Sequence, residues 1–109
     1  MNYIHIVLRL YLELPDTPTI ARRHDRRLAR QLKEQGIALA LVEAALLLAT
    51  ARRNARPPNA PPLGPVRSLS YFLPVIEELQ RHPPPEAYLD YLRVAARSTG
   101  GRPENDVSS

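Results

Sequence analysis

Apolar and polar positions along the chain repeat at helical spacing in five stretches, separated by proline or glycine breaks. In the first, Asn2 to Leu14, Ile4, Ile6, Leu8, Leu10, Leu12 and Leu14 alternate as in a strand, while Asn2, His5, Arg9 and Glu13 form a polar stripe at helical spacing. The stretch is long for a strand, and no later segment offers a partner for its backbone, so a helix is expected. Pro15 ends it, because the residue before a proline disfavours the α conformation.

Thr17 before Pro18 reads as an N-cap and first-turn pair, and Gly36 as a left-handed stop. A second helix is therefore expected from Pro18 to Gln35. Its projection puts Ile20, His24, Leu28 and Leu32 inward and Arg22, Arg26, Arg30 and Lys33 outward, flanked by Arg23 and Arg27. The third stretch, Ala38 to Ala55, is apolar nearly all round in its first three turns, and such a helix needs burial on several sides. Leu41, Val42, Ala45, Leu46 and Ala49 are expected at the centre of the core.

Residues 57–67, with Pro57, Pro58, Pro61, Pro62 and Pro65, read as an extended connector inside one domain, since neither flank alone is long enough to bury a core. Ser68 or Ser70 then caps a fourth helix with Phe72, Val75, Ile76 and Leu79 as its apolar stripe and Pro74 in or near its first turn. His82 to Pro85 close that helix. A fifth helix follows from Glu86, with Tyr88, Leu89, Leu92, Ala95 and Ala96 inward. From Thr99 the polar, glycine-containing composition supports no core, and residues 99–109 are expected to form a disordered tail. The expected fold is all-α: one small domain, residues 1–98, of four to five helices.

The 109 residues, 44% of them hydrophobic and 24% charged, suit one modest globular core. The absence of cysteine removes disulfides, thiolate metal sites and cysteine catalysis. The longest apolar run, Ile37 to Ala51, is interrupted by Glu43 and falls short of the roughly 20 residues a membrane helix needs. The first residues lack a basic segment ahead of their apolar stretch, so no signal peptide is expected, and the protein reads as soluble and cytoplasmic, without a membrane.

Charge changes the picture further. Residues 21–56 carry nine basic and three acidic side chains, while the segments on either side are each slightly acidic, so the net +4 belongs to the hairpin of the second and third helices. The nine cations are Arg22, Arg23, Arg26, Arg27, Arg30, Lys33, Arg52, Arg53 and Arg56, the candidate residues for binding nucleic-acid phosphates. Lys33 is the one lysine among the 15 basic residues, a skew that a G- and C-rich genome also produces. A solvated face and a dock for an acidic protein remain alternative readings of the same charge.

Enzymatic chemistry is not indicated. His5, His24 and His82 fall in three different elements without metal-ligand spacing, and the four glycines form no phosphate loop. Glu77 and Glu78 are adjacent on a helix and splay apart. No catalytic residue, metal or cofactor is expected. A helix-turn-helix placed at Gly36 would make Ala38 to Leu47 the recognition helix, yet Glu43 is its one polar side chain, so nothing in it reads a base edge. Contact with DNA would then run through phosphates and be indifferent to sequence.

The segment Val66 to Glu78, VRSLSYFLPVIEE, together with the helix from Gly36 to Arg53, resembles the DnaD-like helical accessory domains of bacterial plasmid and phage replication-initiation proteins. The two stretches cover at most half the chain. The winged-helix domain those proteins usually carry has no counterpart here. The resemblance implies an all-helical module acting on DNA or within a larger DNA-bound assembly, and it transfers no catalytic residue. A small accessory protein of DNA metabolism or of a mobile element is thus the expected function, and a protein-interaction adaptor the alternative. Neither oligomeric state nor partner is legible.

Overall fold

The computed structural model describes residues 2–100, with side chains through residue 95. Five α-helices and one 3-10 turn make up a single small all-helical domain, with no strand among the described residues: α1 (Tyr3–Leu12), α2 (Arg23–Glu34), α3 (Leu39–Asn54), the 3-10 helix Leu69–Phe72, α4 (Leu73–Arg81) and α5 (Glu86–Gly100). The inward place expected for Ala96, and residues 101–109 of the expected tail, lie outside the described residues. Thr99 and Gly100, assigned from sequence to that tail, belong to α5 instead.

The first stretch is a helix, as its polar stripe requires. Asn2 caps it, its Oδ1 accepting from the N–H groups of Ile4 (2.9 Å) and His5 (3.4 Å). Val7 and Tyr11, one turn apart, are fully buried, while His5, Arg9 and Glu13 face solvent. The strand-like alternation has a simple origin: Ile4, Leu8, Leu10, Leu12 and Leu14 flank the buried pair and are half-buried against the core.

The second helix departs from expectation at its start. Thr17 does not cap it; its hydroxyl donates to the carbonyls of Leu14 (2.6 Å) and Leu12 (3.4 Å) and closes α1. Residues 18–22 run free of helix, and α2 begins only at Arg23, because Asp25 reaches back to accept the N–H of Arg22 at 2.9 Å. That shift changes which residues point inward. Ile20, expected in the core, is 71% exposed, and His24 is exposed as well. The buried face of α2 is Asp25, Ala29 and Leu32, with Leu28 half-buried. Gly36, with φ of 72°, ends the helix as the spacing predicts: the N–H of Ile37 bonds the carbonyl of Leu32 (3.2 Å) and that of Gly36 bonds Lys33 (3.0 Å).

α3 is the centre of the molecule and packs on α1, α4, α5 and the 3-10 helix. Val42, Ala45, Leu46 and Ala49 are buried as expected, and Leu41 is half-buried. Glu43, the interruption in the apolar run, receives both Nε (3.0 Å) and Nη2 (2.8 Å) of Arg93 and so ties α3 to α5. Ser68 caps the 3-10 helix through Ser70 N–H, and Pro74 sits in the first turn of α4, where its missing N–H costs no helical bond. Phe72 meets the edge of Tyr11 at 6.0 Å between ring centroids.

Candidate nucleic-acid interface

α2 packs on α1 and the 3-10 helix through its Asp25, Ala29 and Leu32 side, leaving the opposite side in solvent. Arg23, Arg26, Arg27, Arg30 and Lys33 are all exposed on it, and Arg22 continues the row at the N-cap. A helix of 12 residues is about 18 Å long, so the row spans several phosphate repeats. Among the described residues, the ion pairs involve Arg52, Arg53, Arg93 and His24, and none of these six cations takes part. The helix itself offers little neutralisation. Glu34 is at its far end, and Asp25 is buried, 1% exposed, with one oxygen on Arg22 N–H and the other on Leu69 N–H, both at 2.9 Å. Like charges at i,i+4 cost a helix about 0.2–0.5 kcal/mol per pair, and α2 carries Arg23–Arg27 and Arg26–Arg30 against one opposite pairing at that spacing, Arg30–Glu34.

The other three candidate cations are engaged inside the fold, and the sequence-based grouping of all nine is corrected here. Arg52 makes a two-pronged pair with Glu78 on α4, at 2.9 and 2.8 Å. The hydrogen bond raises the guanidinium pKa and holds the Glu78 carboxyl below its usual range. The Arg53 side chain is only 12% exposed. It donates to Tyr71 Oη (3.0 Å), the Gly64 carbonyl (3.0 Å) and Asp16 Oδ2 (3.4 Å), and its guanidinium carbon lies 5.4 Å from the Tyr71 ring centre. Arg56 donates to the Pro61 carbonyl at 2.6 Å. For Arg53 and Arg56 the physical reason is the connector. A proline-rich segment has carbonyls to satisfy and few N–H groups to pair them with, and the arginines ending α3 supply the donors.

The same region is pinned from a second side. Asp16 takes a left-handed backbone, φ 63°, and its carbonyl accepts the N–H of the buried Val66 at 2.8 Å. The result is a cleft of about 700 Å³ whose walls come from residues 16–18 and 65–68 with Arg22 and His24. Asp16, Arg22, His24, Arg67 and Ser68 line it, with Pro18, Pro65 and Val66 as apolar surface. His24 Nε2 stands 3.4 Å from Asp25 Oδ1.

Three residues of this region escaped the sequence reading. Asp25 looks like one more surface charge in an arginine-rich run, and nothing local announces a bond to Leu69, 44 residues away. Tyr11 is fully buried, and its hydroxyl has no hydrogen-bond partner among the described residues. Burial pushes its pKa up to about 12; the Asp25 carboxylate adds to the rise and Arg22 opposes it. Arg67 sits in the connector, outside the basic hairpin that drew attention.

No group of three His, Asp or Glu side chains comes together as a metal set among the described residues, and none of their helices is long and apolar enough to cross a membrane. Comparison with protein-family models, curated proteins and solved structures finds no match for this chain.

Proposed function

We propose that this protein is a small non-enzymatic accessory factor of DNA metabolism or of a mobile element, holding nucleic acid through phosphate contacts of α2 without reading sequence. The observation that carries this reading is the contrast between two sets of arginines. Arg52, Arg53 and Arg93 are matched to acids, whereas Arg23, Arg26, Arg27, Arg30 and Lys33 stand exposed on one short helix, in no ion pair among the described residues. A polyanion relieves their mutual repulsion and releases its own counterions. The DnaD-like resemblance supports the same placement, as part of a DNA-bound assembly.

The test is a salt titration of binding to random-sequence duplex. Affinity should fall steeply with salt, by close to one power of salt concentration for each phosphate neutralised. Replacing Arg26, Arg27 and Arg30 together by Gln should flatten the slope by up to about 3 and weaken every sequence alike. Folding stability should change by less than about 1 kcal/mol, since the three side chains are exposed. Absence of binding at low salt, or an unchanged slope in the variant, removes the proposal.

A protein adaptor is the second reading, and α5 favours it. Tyr91 (63% exposed) and Val94 (59%) leave an apolar strip on that helix, and the Tyr91 ring stacks on Tyr88 at 5.8 Å. A partner captured through α5 with no loss on substitution of the α2 arginines would favour the adaptor.

A further inference from the structure

We infer that the cleft lined by residues 16–18 and 65–68 with Arg22 and His24 is a binding site for a phosphomonoester of nucleotide size, gripped by Arg22 and Arg67. The inference rests in part on the reading of α2 as a phosphate-binding face, since Arg22 begins that row, but it adds a site and a residue, Arg67, that the row does not include.

The first support is charge. Arg22 and Arg67, 45 positions apart in sequence, both line one cleft. Neither side chain is in an ion pair among the described residues. Of the two nearby acids, Asp16 also lines the cleft but is paired with Arg53 at 3.4 Å, and Asp25 is beneath the surface with its oxygens on two backbone N–H groups. Two unneutralised cations match a phosphomonoester, which carries about −1.5 to −2 at neutral pH, better than the single charge of a backbone diester. Guanidiniums also meet phosphate oxygens in paired hydrogen bonds.

The second support is preorganisation. The buried Asp25 carboxylate holds both sides of the cleft at once, through Arg22 N–H on one wall and Leu69 N–H two residues beyond Arg67 on the other. Val66 N–H bonded to the Asp16 carbonyl closes the third side. The two arginines are thus mounted on backbone that is already fixed, and less ordering opposes binding. Ser68 Oγ, 2.9 Å from Ser70 Oγ, has a hydroxyl that can turn between that neighbour and an incoming oxygen.

The third support is size and lining. About 700 Å³ falls within the roughly 300–1,000 Å³ typical of small-molecule clefts and exceeds what a bare phosphate fills. Pro18, Pro65 and Val66 offer apolar surface to the organic part. The phosphate can belong to a free mononucleotide or to the end of a strand lying along α2, and these sources are separable by experiment.

Amide NMR of the full chain is titrated with adenosine monophosphate, with adenosine, and with one single-stranded oligonucleotide bearing either a 5′-phosphate or a 5′-hydroxyl. Adenosine monophosphate should give saturable shifts at Thr17, Arg22, Arg67 and Ser68, and adenosine none. Arg67→Gln should weaken that binding at least about tenfold while lowering the duplex salt slope by no more than about 1. Tighter binding of the 5′-phosphorylated strand assigns the site to strand ends; equal binding of the two strands assigns it to free nucleotides. No saturable shift at the cleft with any phosphorylated probe, or an Arg67→Gln affinity equal to wild type, overturns the inference. The Arg26, Arg27 and Arg30 variant keeps the two proposals apart: it should weaken duplex binding and flatten its salt slope while retaining adenosine monophosphate.

Discussion

Replacing Asp25 by Asn isolates the interaction on which the architecture of the basic face depends. The substitution keeps size and shape and removes the charge. In the native protein both carboxylate oxygens accept a backbone N–H at 2.9 Å, one from Arg22 and one from Leu69. Hydrogen bonds to a charged group contribute about 1.5–3 kcal/mol each, and a buried group left without a partner costs about 1–3 kcal/mol. An amide side chain has one acceptor oxygen. One of the two N–H groups then faces an NH2 instead of an oxygen, and the surviving bond weakens from a charged to a neutral one. The sum is a loss of about 2–4 kcal/mol, a large part of the roughly 5–15 kcal/mol that holds a domain folded. Urea denaturation followed by circular dichroism measures it, as a lower midpoint at unchanged slope. Hydrogen exchange adds the location: protection should fall at Leu69 and at the start of α2 before it falls at Leu46. A competing expectation exists, because burying a charge is itself costly and a neutral substitute relieves that cost. A loss under about 1 kcal/mol, or a gain, would refute the claim that Asp25 clamps α2 to the 3-10 helix.

Tyr11→Phe should leave stability at neutral pH unchanged or raise it by up to about 2 kcal/mol, because the hydroxyl it removes is buried without a partner; a loss above about 1 kcal/mol would reveal a bridging water. The same change should abolish an alkaline transition: with the phenol at about 12 in the fold against 10.0 in an open chain, its stabilisation is intact below pH 10.0 and lost as pH climbs toward 12. At the acid end, the lowered pKa of Glu78 makes its stabilisation complete above the ordinary 4.5 and lost as pH falls through the depressed value, so Glu78→Gln should remove that part of the acid limb in a melting series. Leu46→Ala, at a site 1% exposed in the centre of α3, should cost about 2–5 kcal/mol by chemical denaturation. Arg53→Gln should free the connector, seen as faster proteolytic cleavage within residues 57–67 while α3 remains helical.

The sequence by itself determined the helical elements and most of their faces. Periodicity is a local property: the polar stripe of His5, Arg9 and Glu13 and the apolar surface all round the first three turns from Ala38 each state what a helix must bury. Backbone stereochemistry is local too, so Gly36 and the prolines at 15, 57 and 83 marked where helices end. Tertiary structure decided the rest. The start of α2 moved from Pro18 to Arg23 because Asp25 found two amide donors, and the second of these belongs to Leu69. Nine cations that look alike in sequence divided into a row at α2 in no ion pair among the described residues and a set tied to α4 and the connector, since the carbonyls of Pro61 and Gly64 and the carboxylate of Glu78 reach α3 only in the folded chain. The cleft joining Arg22 to Arg67 has the same origin. Charge and amphipathic phase are written residue by residue, whereas which charge is neutralised depends on distances between segments tens of residues apart, and those distances exist only once the core has closed.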